Sequence, residues 1–549
     1  MLGLISTTPG PDSANILQAA LPIGLGLAST AYLAMRMMRR NETLGEKSIP
    51  CAAIRTGDAT HDAEYREDPD RFLSTCQKRY GPVFNCSILN QRLTVVSGPM
   101  VREVFMSQHF SFMDAIDDIT GLRAFTTSVI KSNQHPDSRV VHEIVRDLVT
   151  PNLPLFTPLI VERVRSTLES RLGVCDHKLV ENPQPIFADM IAGAMATVFM
   201  GSEIAQNRTV LDSFIYCTYD FGRAIGPEAR EWTWGRLYSR IKYGMWNPLQ
   251  KHVQVLVQAA TPVVLERRRQ AAEASEQGLA YKAPLDILQM LLDNFDQYGL
   301  VDLEDICGHL LLLVLASVHT SSDASTCLNY YLAAFPEHME MLYQEQTEVL
   351  NQVAKEREQQ RQKELQLGTV RSVRDFEGTE LDPRNDRELS ATVLKRLTRM
   401  DTFIREMMRF RCERLSLEHK ARQDVVLSNG MVIPKGSKAI INMASVHQNA
   451  EVQGEDPTEF QPWRFIGKAK TATKVSSEFL PFGIGRHSCP GRFLAIQELK
   501  TVGALMVSQY SKIQFQDPSK KMQALLSAVG APMPTGLVFT SRVTRVASD

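Results

Sequence analysis

Chemistry concentrates in one stretch, Pro481-Phe482-Gly483-Ile484-Gly485-Arg486-His487-Ser488-Cys489-Pro490-Gly491-Arg492-Phe493. A helical pattern, Leu494 to Tyr510, follows it, and Pro490 suits the first position of that helix. Cys489 is then expected at a helix N-terminus, where free N–H groups and the positive dipole end favour a thiolate. Gly483, Gly485 and Gly491 carry no side chains, so a flat macrocycle could approach the backbone closely. A thiolate so placed is a good iron ligand. Taken alone, Cys-Pro-Gly describes a glycine-rich turn with a structural cysteine equally well. Gly483-x-Gly485 resembles the start of a dinucleotide loop, but Ser488 fills the third glycine position and no strand with a following acidic residue accompanies it.

Three further groups could act with it. Glu406-Met407-Met408-Arg409 spaces two opposite charges on one helix face, which alone describes an ordinary surface ion pair. Ala316-Ser317-Val318-His319-Thr320-Ser321 lies within a long apolar helix pattern. There a threonine can bond back to a carbonyl one turn earlier and open a local kink, and a histidine can relay protons near neutral pH or sit as a core histidine bonded to a neighbour. His142-Glu143-Ile144-Val145-Arg146 adds a histidine and an arginine four residues apart.

The elements that must position these groups are mostly helical. Asp302 to Phe335 reads as a helix of about 50 Å, with acids at its start and Pro336 at its end. Leu310 to Leu315 is apolar on every side, so its middle is expected to be buried. A second helix pattern runs from Ser390 to about Phe410, with Leu394, Leu397, Phe403, Ile404, Met407 and Met408 as its apolar stripe. Between the two, residues 355–388 are charge-rich without a clear apolar face and read as a solvated insertion or loop. Strand patterns are few: a strand-like stretch ending at Val96, led into by Arg79-Tyr80-Gly81-Pro82-Val83-Phe84, and a hairpin in which Val425-Val426-Leu427 and Met431-Val432-Ile433 flank Ser428-Asn429-Gly430. The expected fold class is mainly α with a small β portion.

The whole chain has 549 residues, 61 basic and 62 acidic, a balance that argues against bulk electrostatic binding of nucleic acid. Its nine cysteines include no C-x-x-C pair, so neither a disulfide framework nor a zinc ribbon is expected. Ser13 to Met35 carries no formal charge and, at about 1.5 Å per residue, is long enough to cross a bilayer. Arg36, Arg39 and Arg40 follow it and no basic residue precedes it. That order favours a retained anchor over a cleaved signal peptide, with the rest of the chain cytosolic. The expected organisation is therefore an anchor over residues 1–40 and one catalytic domain over 41–549.

The ordered set of motifs resembles the cytochrome P-450 family over roughly residues 60 to 549. Phe482, Gly485, His487, Cys489 and Gly491 fill the positions of its haem signature. By this resemblance Cys489 is the proximal iron ligand and Phe482 packs near the sulfur. His487 stands where an arginine usually binds a haem propionate, and its charge would then depend on pH. Glu406, Arg409 and Arg464, the last from Phe460-Gln461-Pro462-Trp463-Arg464-Phe465, become a buried structural triad, with Trp463 in a usually acidic place. Thr320 matches the threonine that steers protons toward dioxygen, while His319 replaces the usual carboxylate. Arg146 would bind a propionate, with His142 in place of a tryptophan, and His419 would stand for another propionate-binding arginine.

The resemblance implies haem (iron protoporphyrin IX), O2, and electrons from NADPH–cytochrome P-450 reductase, since the chain itself shows no flavin or nicotinamide motif. It implies a hydrophobic small-molecule substrate, contact with membrane lipid, and a single-pass place in the endoplasmic reticulum membrane. The Val-His-Thr-Ser and Gly-Arg-His-Ser-Cys-Pro-Gly wording is most similar to fungal secondary-metabolism members oxidising terpenoids. Phe110, Phe112, Met113, Ile116, Phe125, Val314, Leu415 and Leu417 are candidate pocket residues. Two other functions stay open: a haem-dependent desaturase or isomerase, which strict O2 dependence would separate from isomerisation, and a non-catalytic membrane-anchored binding protein, which a pigment-free preparation unable to take up haem would reveal.

Overall fold

A computed structural model describes residues 48–88, 91–134, 139–224, 247–368, 372, 387–528 and 530–542. The expected membrane anchor, Ser13 to Met35, lies outside them. The architecture is mainly helical with a small sheet portion.

In chain order come α1 (Pro69–Tyr80), β1 (Val83–Ile88), β2 (Gln91–Val96), α2 (Met100–Met106), β3 (Phe110–Ser111) and α3 (Phe112–Thr120). Next are α4 (Val140–Ile144), which runs into a π-helical turn over Val145–Val149, then α5 (Leu153–Arg171), β4 (Lys178–Val180), α6 (Gln184–Met200) and α7 (Arg208–Ala224). The longer helices α8 (Gln250–Glu276), α9 (Leu303–Ala334) and α10 (Pro336–Gln366) follow. After α11 (Ala391–Arg396) and α12 (Thr398–Phe410) come β5 (Leu415–Ala421), β6 (Val425–Val426), β7 (Val432–Ile433) and β8 (Lys438–Asn442). The chain closes with α13 (Arg492–Gln509), β9 (Tyr510–Phe515), α14 (Lys521–Leu525) and β10 (Leu537–Ser541).

One five-stranded sheet has the order β1-β2-β8-β5-β3, in which only β2 and β8 run parallel. A three-stranded antiparallel sheet, β4-β10-β9, ties the chain end to the helical body. The hairpin read from Asn429-Gly430 is present as β6 and β7, with Gly430 at φ +80°. The stretch read as one strand up to Val96 is an antiparallel pair, β1 and β2.

Helix α9 is the axis of the helical layer and packs on α6, α7, α8 and α13. It is long and apolar enough to cross a membrane, yet much of it is buried inside the protein. The Asp302 side chain accepts the Asp305 N–H at 2.9 Å and caps its start. Its first turns are welded to the preceding loop. Asp305 accepts the amides of Lys131 and Ser132 at 2.8 and 3.1 Å, and Lys131 Nζ reaches Asp302 and Glu304 at 2.6 Å each. Gly308 lies so close to this loop that a Cβ there would stand 2.2 Å from the Val129 carbonyl oxygen.

Two sequence expectations are corrected. The helix expected from Ser390 to Phe410 breaks at Leu397 into α11 and α12. Glu345, from α10, forms the cap of the second piece: its carboxylate accepts from Thr398 Oγ1 and from the amides of Arg399 and Met400 at 3.1, 2.5 and 3.0 Å. Residues 355–366, expected to belong to a solvated insertion or loop, are helical and continue α10, held partly by i to i+4 side-chain bonds such as Gln352 to Glu356.

Candidate active site

The cysteine loop folds back on itself through the Cys489 N–H, which donates to the Phe482 carbonyl at 2.8 Å. Gly483 and Gly485 have φ of +61° and +68°, and a Cβ on Gly485 would stand 3.0 Å from Met106 Sδ and 3.3 Å from the Phe105 carbonyl. This left-handed, closely covered turn needs glycine at that position. Helix α13 starts at Arg492 with Gly491 as its N-cap residue, so Pro490 precedes the helix rather than opening it. The sulfur still lies at the helix start, where the amides of Gly491 and Arg492 favour its charged form. Burial pushes the thiol up, and those amides and the Arg492 charge pull against it. Arg492 also donates to the Cys489 carbonyl at 2.8 Å.

Around the loop lies a cluster of aromatic and basic side chains. His419 is buried, donates from Nδ1 to the Leu417 carbonyl (2.7 Å), and meets Phe105, Phe112 and His487 at ring distances of 4.8, 5.7 and 6.1 Å. Leu417 sits at φ +56°, inside a register shift of β5 between Ser416 and His419, an unusual backbone state for leucine. Arg486 donates to the carbonyls of Gln108 and Phe110 and to His487 Nε2 (3.0 Å). Arg139 reaches the Arg486 carbonyl at 3.3 Å. Burial first, and then the Arg486 and Arg139 charges, hold the His487 imidazole at about 4. Burial likewise holds His419 at about 4. In these surroundings both rings are neutral at neutral pH, so the expected pH dependence of His487 falls on the acid side.

Three buried polar atoms here, His419 Nε2, His142 Nδ1 and Arg492 Nε, have no hydrogen-bond partner among the described residues. Such atoms are costly unless something satisfies them. A Cβ at Gly491 would lie 3.9 Å from the Cys489 sulfur. Glycine beside the sulfur, the unspent Arg492 Nε–H and the nearby Arg139 and Arg486 fit a haem whose iron would meet Cys489 and whose carboxylate edge would meet these basic groups.

Halfway along α9 the pattern of burial changes. Ala316 and Thr320, one turn apart, are exposed, although the helix lies in the core. The Thr320 hydroxyl bonds back to the carbonyls of Ala316 (2.9 Å) and Ser317 (3.2 Å), and the helix continues past it to Ala334. His319 faces another way. Its ring meets Tyr219 of α7 edge-on at 5.5 Å, and a Cβ at Gly530 would lie 3.4 Å from its Cε1. Ser321 donates to Glu498 of α13 at 2.8 Å. Glu498 is fully buried, and burial pushes its carboxyl up to about 8. Sequence reasoning missed this acid, as it missed Arg139 and Arg486.

The remaining residues fall into two places. Glu406, Arg409 and Arg464 converge in the interior: Arg409 forks onto both Glu406 oxygens at 2.7 Å, and Arg464 Nε reaches Oε1 at 3.1 Å. The two guanidinium groups spend their other N–H groups on the carbonyls of His447, Gln453, Glu455, Asp456, Pro457 and Glu459. Arg146 is not drawn to the cysteine loop. Its side chain is 61% exposed and forks onto the adjacent Asp147 at 2.6 and 2.7 Å. Of the expected pocket residues, Phe110, Phe125 and Val314 are buried in the core and Met113 is exposed.

Comparison with known proteins adds an independent line. The family model described as Cytochrome P450 matches residues 59–368 and 380–538. Cytochrome P450 monooxygenase 71 of Postia placenta is 22% identical over 487 residues, covering 84% of this chain and 87% of its own. Cytochrome P450 monooxygenase paxP of Penicillium paxilli is 24% identical, with 74% of each chain covered. Eburicol 14-alpha-demethylase of Uncinula necator is 22% identical, with 81% and 80% covered.

Proposed function

Because the chain belongs to the cytochrome P450 family, and is therefore a haem-dependent monooxygenase drawing on O2 and a redox partner, we propose that it oxidises a hydrophobic small molecule of terpenoid or meroterpenoid type in fungal secondary metabolism. Haem supplies the oxygen-activating chemistry when bound. Cys489 is its iron ligand. Phe482, Gly485, His487 and Gly491 shape the loop that carries the sulfur, Arg139 and Arg486 are better placed than Arg146 to meet the propionate edge, and His419 would meet it only with a proton on Nε2. Thr320 supplies a hydroxyl on the substrate side. Glu406, Arg409 and Arg464 fix the frame beneath the loop. Electrons come from NADPH–cytochrome P-450 reductase, and residues 1–40 anchor the catalytic domain, 41–549, on the cytosolic side of the endoplasmic reticulum membrane and in contact with its lipid.

One observation carries this reading: a cysteine at the start of α13, in a glycine turn closed by its own N–H, on a helix packed against α9 where Thr320 is exposed. The terpenoid assignment rests on the wording of residues 318–321 and 485–491. The ferrous–CO form of the protein is expected to show a strongly red-shifted Soret band, and Cys489→Ala to abolish it. A band unchanged in the variant would refute the ligand. Microsomes supplied with reductase and candidate terpenoids, with products identified by mass, test the substrate class.

A further inference from the structure

The turn after α14 is held against α9 by a buried pair outside the residues assigned so far. Asp323 lies one turn beyond His319 on α9, and Arg411 is the residue that closes α12. Their side chains are only 6% and 8% exposed. The guanidinium grips both Asp323 oxygens, Nη1 at 2.6 Å and Nη2 at 3.2 Å. It also donates to the Ser527 carbonyl at 3.1 Å and the Ala528 carbonyl at 3.2 Å. The Gly530 N–H donates to Asp323 Oδ1 at 3.0 Å. Two opposite charges thus hold three backbone points of one turn, and that turn abuts the His319 ring, since a Cβ on Gly530 would stand 3.4 Å from Cε1. Behind it, the Tyr331 hydroxyl donates to the Leu525 carbonyl at 2.9 Å and Lys521 Nζ to the Ala334 carbonyl at 2.6 Å.

A buried ion pair is a poor source of net stability, because desolvation offsets the attraction. Its better-attested use is to specify one arrangement among several. We propose that the Asp323–Arg411 pair is a positioning clasp that fixes the backbone of Ser527, Ala528 and Gly530 beside His319, and so sets how broad a molecule fits next to Thr320. The inference rests on the monooxygenase reading for the meaning of that space. The clasp itself is a statement about the turn.

Two variants test it. In Asp323→Leu/Arg411→Met both charges are replaced by apolar groups of similar size, which spares the fold a lone buried charge. In Arg411→Lys the charge stays but the planar fork is lost. Hydrogen exchange at the amides of Ser527 to Ala531 is expected to quicken by about tenfold or more in the double variant, with an intermediate effect in Arg411→Lys. Imidazole and a bulky triaryl imidazole serve as probes, read by the difference spectrum of the haem. The double variant is expected to favour the bulky probe over imidazole by about tenfold more than the parent does, equivalent to about 1.4 kcal/mol. Unchanged exchange in both variants would overturn the clasp. Faster exchange with a constant or falling probe ratio would overturn its control of width. A parent protein lacking the red-shifted ferrous–CO band would instead sink the monooxygenase reading and leave the exchange result standing.

Discussion

The Glu498 carboxylic acid and the Ser321 hydroxyl, 2.8 Å apart, join α13 to α9 at the residue after Thr320. Burial lifts Glu498 from 4.5 to about 8 in the folded protein. Between those values the unfolded chain has already lost the proton that the native state keeps, so stability falls as pH rises through the window and levels off above it. Glu498→Gln keeps the size and an acceptor but cannot ionise. Melting of parent and variant at pH 5 and pH 8 checks this. The parent is expected to lose more on going to pH 8 than Glu498→Gln, and parallel losses would contradict the assignment.

His447 has the opposite sign. It is fully buried, accepts the Leu480 N–H on Nε2 at 3.1 Å, and burial with the nearby Arg409 lowers it from 6.5 to about 3. Its neutral form contributes stability that is complete above pH 6.5 and is lost as pH falls toward 3, because only the unfolded chain takes up the proton there. His447→Gln is expected to be less stable at pH 7 but to lose less stability on acidification to pH 5. A urea midpoint series at the two pH values decides it.

Removing the shared anion of the interior triad is expected to be severe. Glu406→Gln leaves two buried guanidinium groups facing a neutral amide, and breaking a buried pair in this way costs about 3–5 kcal/mol. The expected result is a large fall in haem-loaded, soluble protein. Normal yield with an unchanged urea midpoint would show that the network is dispensable.

Thr320 and His319 are adjacent but face different surroundings, so their variants are expected to separate. Thr320→Val deletes the hydroxyl in the open part of α9 and should raise hydrogen peroxide released per NADPH consumed, with little change in substrate binding. His319→Ala, which empties the contact with Tyr219 and Gly530, should slow or uncouple turnover more than it weakens binding if the ring relays protons. Equal coupling in His319→Ala and the parent would exclude a relay role.

Local signals were strong where they decided the structure. Asp302 and Pro336 bracket α9 in the sequence as in the fold, and Asn429-Gly430 fixes its hairpin because few residues tolerate that turn. The Glu406–Arg409 spacing already put both charges on one helix face. The rest depended on distant partners. The break at Leu397 is stabilised by Glu345 from another helix, which no local pattern announces. Residues 355–366 lack an apolar stripe, so the pattern that signals a helix was missing from a real one. Glu498 follows Gln497 and looks like a surface position; only the packing of α13 on α9 buries it. The pairing of Arg146 with the adjacent Asp147 is likewise not announced by the His142–Arg146 spacing.

The contact between Gly308 and the Val129 carbonyl has a bearing on how α9 is held. With no room for even a methyl group between them, the front of α9 and its neighbouring loop form one rigid girder, bolted further by Asp305 and Lys131. A side chain at position 308 would have to push the loop off the helix.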